Sequence, residues 1–242
     1  AGIDLVLFNV ASRDDKQRLL ERLVRERSAE GLLLCSMGIG SERQAEFSRL
    51  GVPVVVVDYP LPGLPSVTVD NVAGGARAAQ HLITTGSKRL GLLNGPEGAQ
   101  AFRDRERGFR SVAGEAAPLQ RALAVTIEDG RTAARILLER HSAVDGLVCA
   151  NDLLALGALD ELRRRGARVP DDVQVIGYDD QPLMDVLGLS TVRQPMERFG
   201  VWAAEALRRL LIERRPAPAS TVLPLTLVPR ATTRSSNTMA KR

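Results

Sequence analysis

The 242-residue chain predicts an α/β fold built on parallel sheets, and three observations carry that expectation. Short apolar runs of strand size alternate with stretches whose apolar residues recur at helical spacing, the pattern of a doubly wound sheet. The helical stretches are bounded by capping residues and glycines. The strand-like runs end on polar residues, Asp58-Tyr59, Asn94, Asn151-Asp152 and Asp179-Asp180, and ligands bind at that carboxyl edge in open α/β sheets.

Taken in order, residues 3–9 form an apolar strand. Ser12 with Asp15 is a capping box opening a helix over 14–27 that carries Leu19, Leu20, Leu23 and Val24. A strand over 31–35, a short helix over 41–50 closed by Gly51, and a β-branched strand over 52–57 follow. Beyond the loop 60–65, residues 67–69 lead into Asp70-Asn71, and a helix over 73–85 stops at Gly86. A strand over 90–93 breaks at Asn94-Gly95-Pro96, ahead of a helix over 101–112. Residues 114–121 are poorly patterned. A strand is predicted over 122–127 and a helix over 131–140.

The stretch 145–180 reads most plainly of all. A short strand over 146–150 stops at Asn151-Asp152, which can cap the next helix. Leu153, Leu154, Leu156, Leu159 and Leu162 recur at helical spacing, and Arg163, Arg164 and Arg165 crowd the last turn, where cations suit the helix dipole. Gly166 ends the helix, and a second strand over 173–177 delivers Tyr178, Asp179 and Asp180. A right-handed crossover makes the two strands parallel neighbours, so Asn151 and Asp179 emerge on one edge. Further on come a strand over 189–192, a helix over 196–213 bearing Trp202, a strand over 221–227, and a tail from Arg234 that reads as disordered.

Composition excludes some classes of function. No apolar run is long enough to span a membrane. Ala1-Gly2-Ile3-Asp4 has no positive segment ahead of an apolar one, so no signal peptide is expected. Cys35 and Cys149 each end an apolar strand and read as buried thiols in a reducing, cytoplasmic compartment. The net charge of +4 comes from arginines scattered among carboxylates, a solvated-face pattern and not a nucleic-acid stripe. Catalysis finds no GxSxG elbow and no phosphate loop, and neither histidine has metal-ligand spacing, so no catalytic residue, metal or cofactor is expected. His81 lies within a helix and reads as structural.

ANDLLALGAL, RVPDDV and VIGYDD, together with VDNVAGGARAAQHLITTG, NGPEG, RDRERGF and STVRQP, closely resemble the ligand-binding domain of LacI/GalR-type bacterial transcription regulators. The resemblance runs over nearly the whole chain, and the joint order of the motifs is specific where each alone is weak. It implies a type I periplasmic-binding-protein-like fold of two Rossmann-like lobes joined by three hinge crossovers near Asp70, Val192 and Ala219. The first lobe would hold residues 1–69 and 193–219, and the second 70–192 and 220–233, leaving 234–242 as the tail. Ile3 matches the family's second strand. The first lobe would therefore lack its usual first strand and helix, about 30 residues, and the family's DNA-reading helix-turn-helix would lie ahead of them.

By the same resemblance a small polar effector, most naturally a carbohydrate, lies between the lobes, touched by Asp58 from the first and by Arg105, Asn151 and Asp179 from the second. Carboxylates, an amide and a guanidinium suit a polyhydroxylated ligand. Tyr59 and Phe102 are candidates to stack on its ring. Each residue also has a plainer reading: Asn151 as a helix cap, Asp58 and Asp179 as acceptors for nearby backbone amides, Arg105 as a solvated arginine, and the two aromatics as packing. The resemblance further implies a homodimer whose surfaces lie on the helices over 14–27 and 41–50 and on the helix bearing Trp202. Operator DNA would be bound only through the helix-turn-helix module. The competing reading is a periplasmic sugar-binding protein of the same fold.

Overall fold

The computed structural model describes residues 4–8, 18–19, 22, 29–35 and 51–235. Two compact units emerge, one of Ala1–Thr68 with Glu197–Thr221 and the other of Val69–Met196 with Val222–Arg242.

In the first unit, β1 (Leu32–Cys35), β2 (Val54–Val57), β3 (Ser66–Val69) and β9 (Ser220–Leu223) form a four-stranded sheet in the order β1-β2-β3-β9. β1 and β2 pair in parallel from Leu32 opposite Val54, and β2 and β3 from Val56 opposite Ser66. All four valines of β2 are buried, as expected for a strand covered on both faces. Cys35 corrects the expectation of two buried thiols. It is a free, exposed cysteine: among the described strands β1 stands at the end of this sheet, and its alternate residues Leu33 and Cys35 face outward. A second difference concerns residues 4–8, which form no strand with any of the described residues and expose Leu5, Val6 and Leu7. An apolar run becomes a strand only where a neighbour supplies ladder hydrogen bonds. The helix expected over 41–50 lies outside the described residues, as does the one over 14–27 apart from 18, 19 and 22, which are helical.

The second unit is a six-stranded sheet in the order β10-β8-β7-β6-β4-β5, where β4 is Leu90–Asn94, β5 Leu119–Arg121, β6 Gly146–Cys149, β7 Gln174–Asp179, β8 Ser190–Arg193 and β10 Thr226–Val228. All pairs are parallel except β10 with β8. Neighbouring residues of the central strands point into different cores. Leu92, Val148 and Ile176 join Ala78, Ala79, Leu82 and Phe109, carried by α1 (Asn71–Thr84) and α2 (Gln100–Ala113). Leu93, Leu147 and Val175 join Ala134, Leu137, Leu154 and Ala158, carried by α3 (Ile127–Arg140) and α4 (Asp152–Arg164). A period-two alternation on a sheet covered by helices on both faces gives this arrangement.

Three predicted elements moved. The strand expected over 122–127 forms three residues earlier, where Leu119 to Arg121 pair with Leu92 to Asn94. Thr126 instead caps α3, its hydroxyl accepting from the Asp129 N–H, and Ile127 is already helical. The strand expected over 221–227 divides into β9 and β10 in different sheets, with Pro224 between them; proline lacks the N–H that a ladder needs. The helix expected over 196–213 is α5 (Met196–Arg208) followed by a π-helical turn, Arg209–Glu213, that stops at left-handed Arg214. Arg234 is anchored, its N–H donating to Gln174 Oε1, and residues 236–242 lie outside the described set.

Candidate functional site

The carboxyl edge of the six-stranded sheet collects Asn94 from β4, Asn151 and Asp152 after β6, Asp179 from β7 and Gln194 just beyond β8. Arg105 reaches this edge from α2, and the close approach of α1 and α2 is what brings it there. A Cβ on Gly75 would lie 2.1 Å from the Arg105 carbonyl oxygen, and one on Gly108 would lie 1.9 Å from that of Val72. Only glycine permits both contacts, and the helix backbones therefore meet at the turn that carries Arg105.

Arg105 is 5% exposed and held on several sides. Its Nε donates to Asn71 Oδ1 at 2.8 Å and its Nη1 to the Ala150 carbonyl at 2.5 Å. The same Nη1 lies 3.5 Å from Asp179 Oδ1, and the guanidinium stacks 3.7 Å over the Tyr178 ring. The solvated-arginine reading is thereby overturned. Asn151 does cap α4, its Oδ1 accepting from the Leu154 N–H at 2.9 Å, while its Nδ2 makes no hydrogen bond among the described residues. Phe102 lies against Gly95 and the α3/α4 core, 5.7 Å from the Arg105 guanidinium.

Asp179 and Asp180 are both left-handed, with φ of 108° and 58°, a conformation that persists only where surroundings over-determine it. The surroundings here are specific. Asp180 accepts from Arg193 Nε at 2.5 Å and Arg230 Nη1 at 2.7 Å. Burial raises its carboxyl pKa, but these two guanidinium groups outweigh that and hold it below the usual range. Asp152, 0% exposed, accepts from the Gln181 N–H at 2.8 Å and from the Thr191 hydroxyl at 2.7 Å, pinning the turn from below. Burial, with the nearby Asp179 and Asp180 carboxylates adding to it, pushes the Asp152 carboxyl up from 3.8 to about 6.

Sequence reasoning missed Gln194 and Asp152. Gln194 is 8% exposed, donates through Nε2 to Asp179 Oδ1 at 2.6 Å, and keeps a buried Oε1 that has no hydrogen-bond partner among the described residues. A buried acceptor left open is costly unless something donates to it. Its position, just after a strand and before Pro195, was the available signal. Asp58 and Tyr59 belong to the first unit. Asp58 ends β2 in a left-handed conformation, φ 79°, its carbonyl accepting from the Thr68 hydroxyl, and Tyr59 packs on the cluster around Leu34 and Leu61. The second unit thus brings together Arg105, Phe102, Asn151 and Asp179.

Residues 79–233 match the periplasmic binding protein-like domain family. The ribose operon repressor of Halalkalibacterium halodurans is 30% identical over 239 residues, covering 96% of this chain and 71% of the repressor. The HTH-type transcriptional regulator CelR of Thermobifida fusca is 34% identical over 225 residues, or 88% of this chain and 64% of CelR. Among solved structures, a transcriptional regulator CelR–cellobiose complex superposes with a TM-score of 0.80 at 32% identity, covering 91% of this chain and 71% of that one.

Proposed function

The chain belongs to the LacI family of transcriptional regulators, with a domain of the type I periplasmic-binding-protein fold, and on that premise we propose that it senses a small polar effector, a sugar, at the carboxyl edge of the six-stranded sheet. Its relatives are regulators and not enzymes, and the transport-protein alternative is not favoured.

The observation that carries the reading is the Arg105, Asp179 and Gln194 cluster. A guanidinium donor, a carboxylate acceptor and an amide with an open buried oxygen converge at one strand-end edge, with the Asn151 amide beside them. Such a set matches vicinal hydroxyls, which both donate and accept. Ribose and cellobiose are the first ligands to try, since relatives are named for a ribose operon and for a cellobiose complex. We propose further that occupancy governs operator binding by a helix-turn-helix module in a homodimer, since a palindromic operator needs a two-fold protein. Exposed Val201 and Ile212, with half-buried Trp202, support a subunit surface on the helix of the first unit.

Titration calorimetry of a sugar panel tests the site. Asp179→Ala should cost about 2 to 4 kcal/mol of binding, because Gln194 and Arg105 lose their shared acceptor. Equal affinity of variant and parent overturns the assignment. A monomer in sedimentation of the whole regulator at micromolar concentration overturns the dimer.

A further inference from the structure

The sheet of the second unit has a concave feature at its amino edge, opposite the effector residues. Around the amino ends of β4 and β6 lies a surface pocket of about 440 Å³, with Leu90, Pro118 and Val144 among its apolar lining and Arg89, Arg140 and His141 among its polar lining. We infer that this pocket is a ligand site for a small organic carboxylate with an apolar body.

Four observations carry the inference. The size falls in the range of small-molecule sites. The lining contains no carboxylate, and the acidic residue next to it, Asp145, is already committed to the N–H groups of Lys88 and Arg89. Arginines elsewhere on these helices are paired within their own helix, Arg131 with Glu128, Arg135 with Glu139, and Arg163 and Arg164 with Asp160. Among the described residues Arg140 makes no ion pair or hydrogen bond, and the Arg89 side chain donates only through Nε, to the Ala143 carbonyl.

That last bond orients Arg89 while leaving its two terminal nitrogens to a ligand, and a guanidinium fork is shaped for a carboxylate. The carboxyl end of α3 brings about half a negative charge to the same corner. The guanidinium groups of Arg89 and Arg140 outweigh it. The apolar lining, to which half-buried Ala117 and Pro118 contribute, suits a hydrocarbon body better than a bare inorganic anion.

The pocket is separate from the effector residues. Leu90 opens β4 and Asn94 closes it, as Val144 and Asn151 flank β6, so the two edges are on the order of 15 Å apart at about 3.3 Å per residue. The inference does not depend on which sugar, if any, the other edge takes.

Benzoate is the probe, with inorganic phosphate carrying charge alone and benzyl alcohol carrying the ring alone. Calorimetry or amide chemical-shift titration of the whole chain should give saturable benzoate binding near or below about 1 mM, and clearly weaker binding of both controls. Arg140→Ala and Arg89→Ala should each weaken benzoate about ten-fold, a difference of 1.4 kcal/mol, and Asp179→Ala should leave it unchanged. Both arginines are exposed, so these variants are expected to fold. Absence of saturable benzoate binding, equal binding by the arginine variants, or phosphate binding as tightly as benzoate would each overturn the proposal.

Discussion

Replacing Asp152 by Asn should flatten the pH dependence of stability between pH 4 and 6. The Asp152 carboxyl is wholly buried, and burial lifts its pKa from 3.8 to about 6 against the opposing pull of the Gln181 N–H and the Thr191 hydroxyl. The folded protein therefore binds this proton more tightly than the unfolded chain does. The stabilisation is fully present below about pH 4 and is lost as pH rises through about 6. A displacement of roughly two units at about 1.4 kcal/mol each makes the loss about 3 kcal/mol. Asparagine can keep both contacts, its oxygen accepting from Gln181 N–H and its Nδ2 donating to the Thr191 oxygen, because a hydroxyl serves in either role. Urea unfolding of parent and variant at half-unit steps from pH 4 to pH 8 isolates the contribution, since every other titrating group is common to both. The parent should lose about 3 kcal/mol relative to the variant across the window. Parallel curves would refute the buried, proton-linked role of Asp152.

Other outcomes follow from the packing. Arg105→Ala removes the ion pair of Asp179 and the donors to Asn71 Oδ1 and the Ala150 carbonyl in a buried cluster, and should cost about 3 to 5 kcal/mol in chemical unfolding; Arg105→Lys should recover only part, because an ammonium cannot span all three. Gly108→Ala forces a Cβ against the Val72 carbonyl and should lower the thermal midpoint, with a loss of about 1 to 3 kcal/mol from overpacking. Leu147→Ala, in the core under α3 and α4, should cost about 2 to 5 kcal/mol by the same measurement, and a smaller effect would mean that the site collapses around the cavity.

The cap of α4, its leucine stripe and its glycine stop are all local, and the sequence alone determined them: Asn151 caps where a short polar side chain ahead of a periodic run should, and β6 and β7 pair in parallel as the crossover requires. The motifs that hold Arg105 and Asp179 mark them as candidates, and the structure brings the two side chains within 3.5 Å. What the tertiary structure decided was everything that depends on a distant partner. Residues 119 to 121 are poorly patterned, yet they are a strand because β4 offers them a ladder, whereas 123 to 126, in the stretch that reads as a strand, turn away from it among the described residues. One apolar run over 221–227 divides between two sheets, and Cys35 faces solvent on a strand that stands at the end of its sheet among the described strands. Gln194 gains its place only when β8 sets it beside Asp179. Periodicity and capping are written within a few residues of chain, but ladder partners, edges and open buried acceptors are properties of residues far apart in sequence, and no local pattern encodes them.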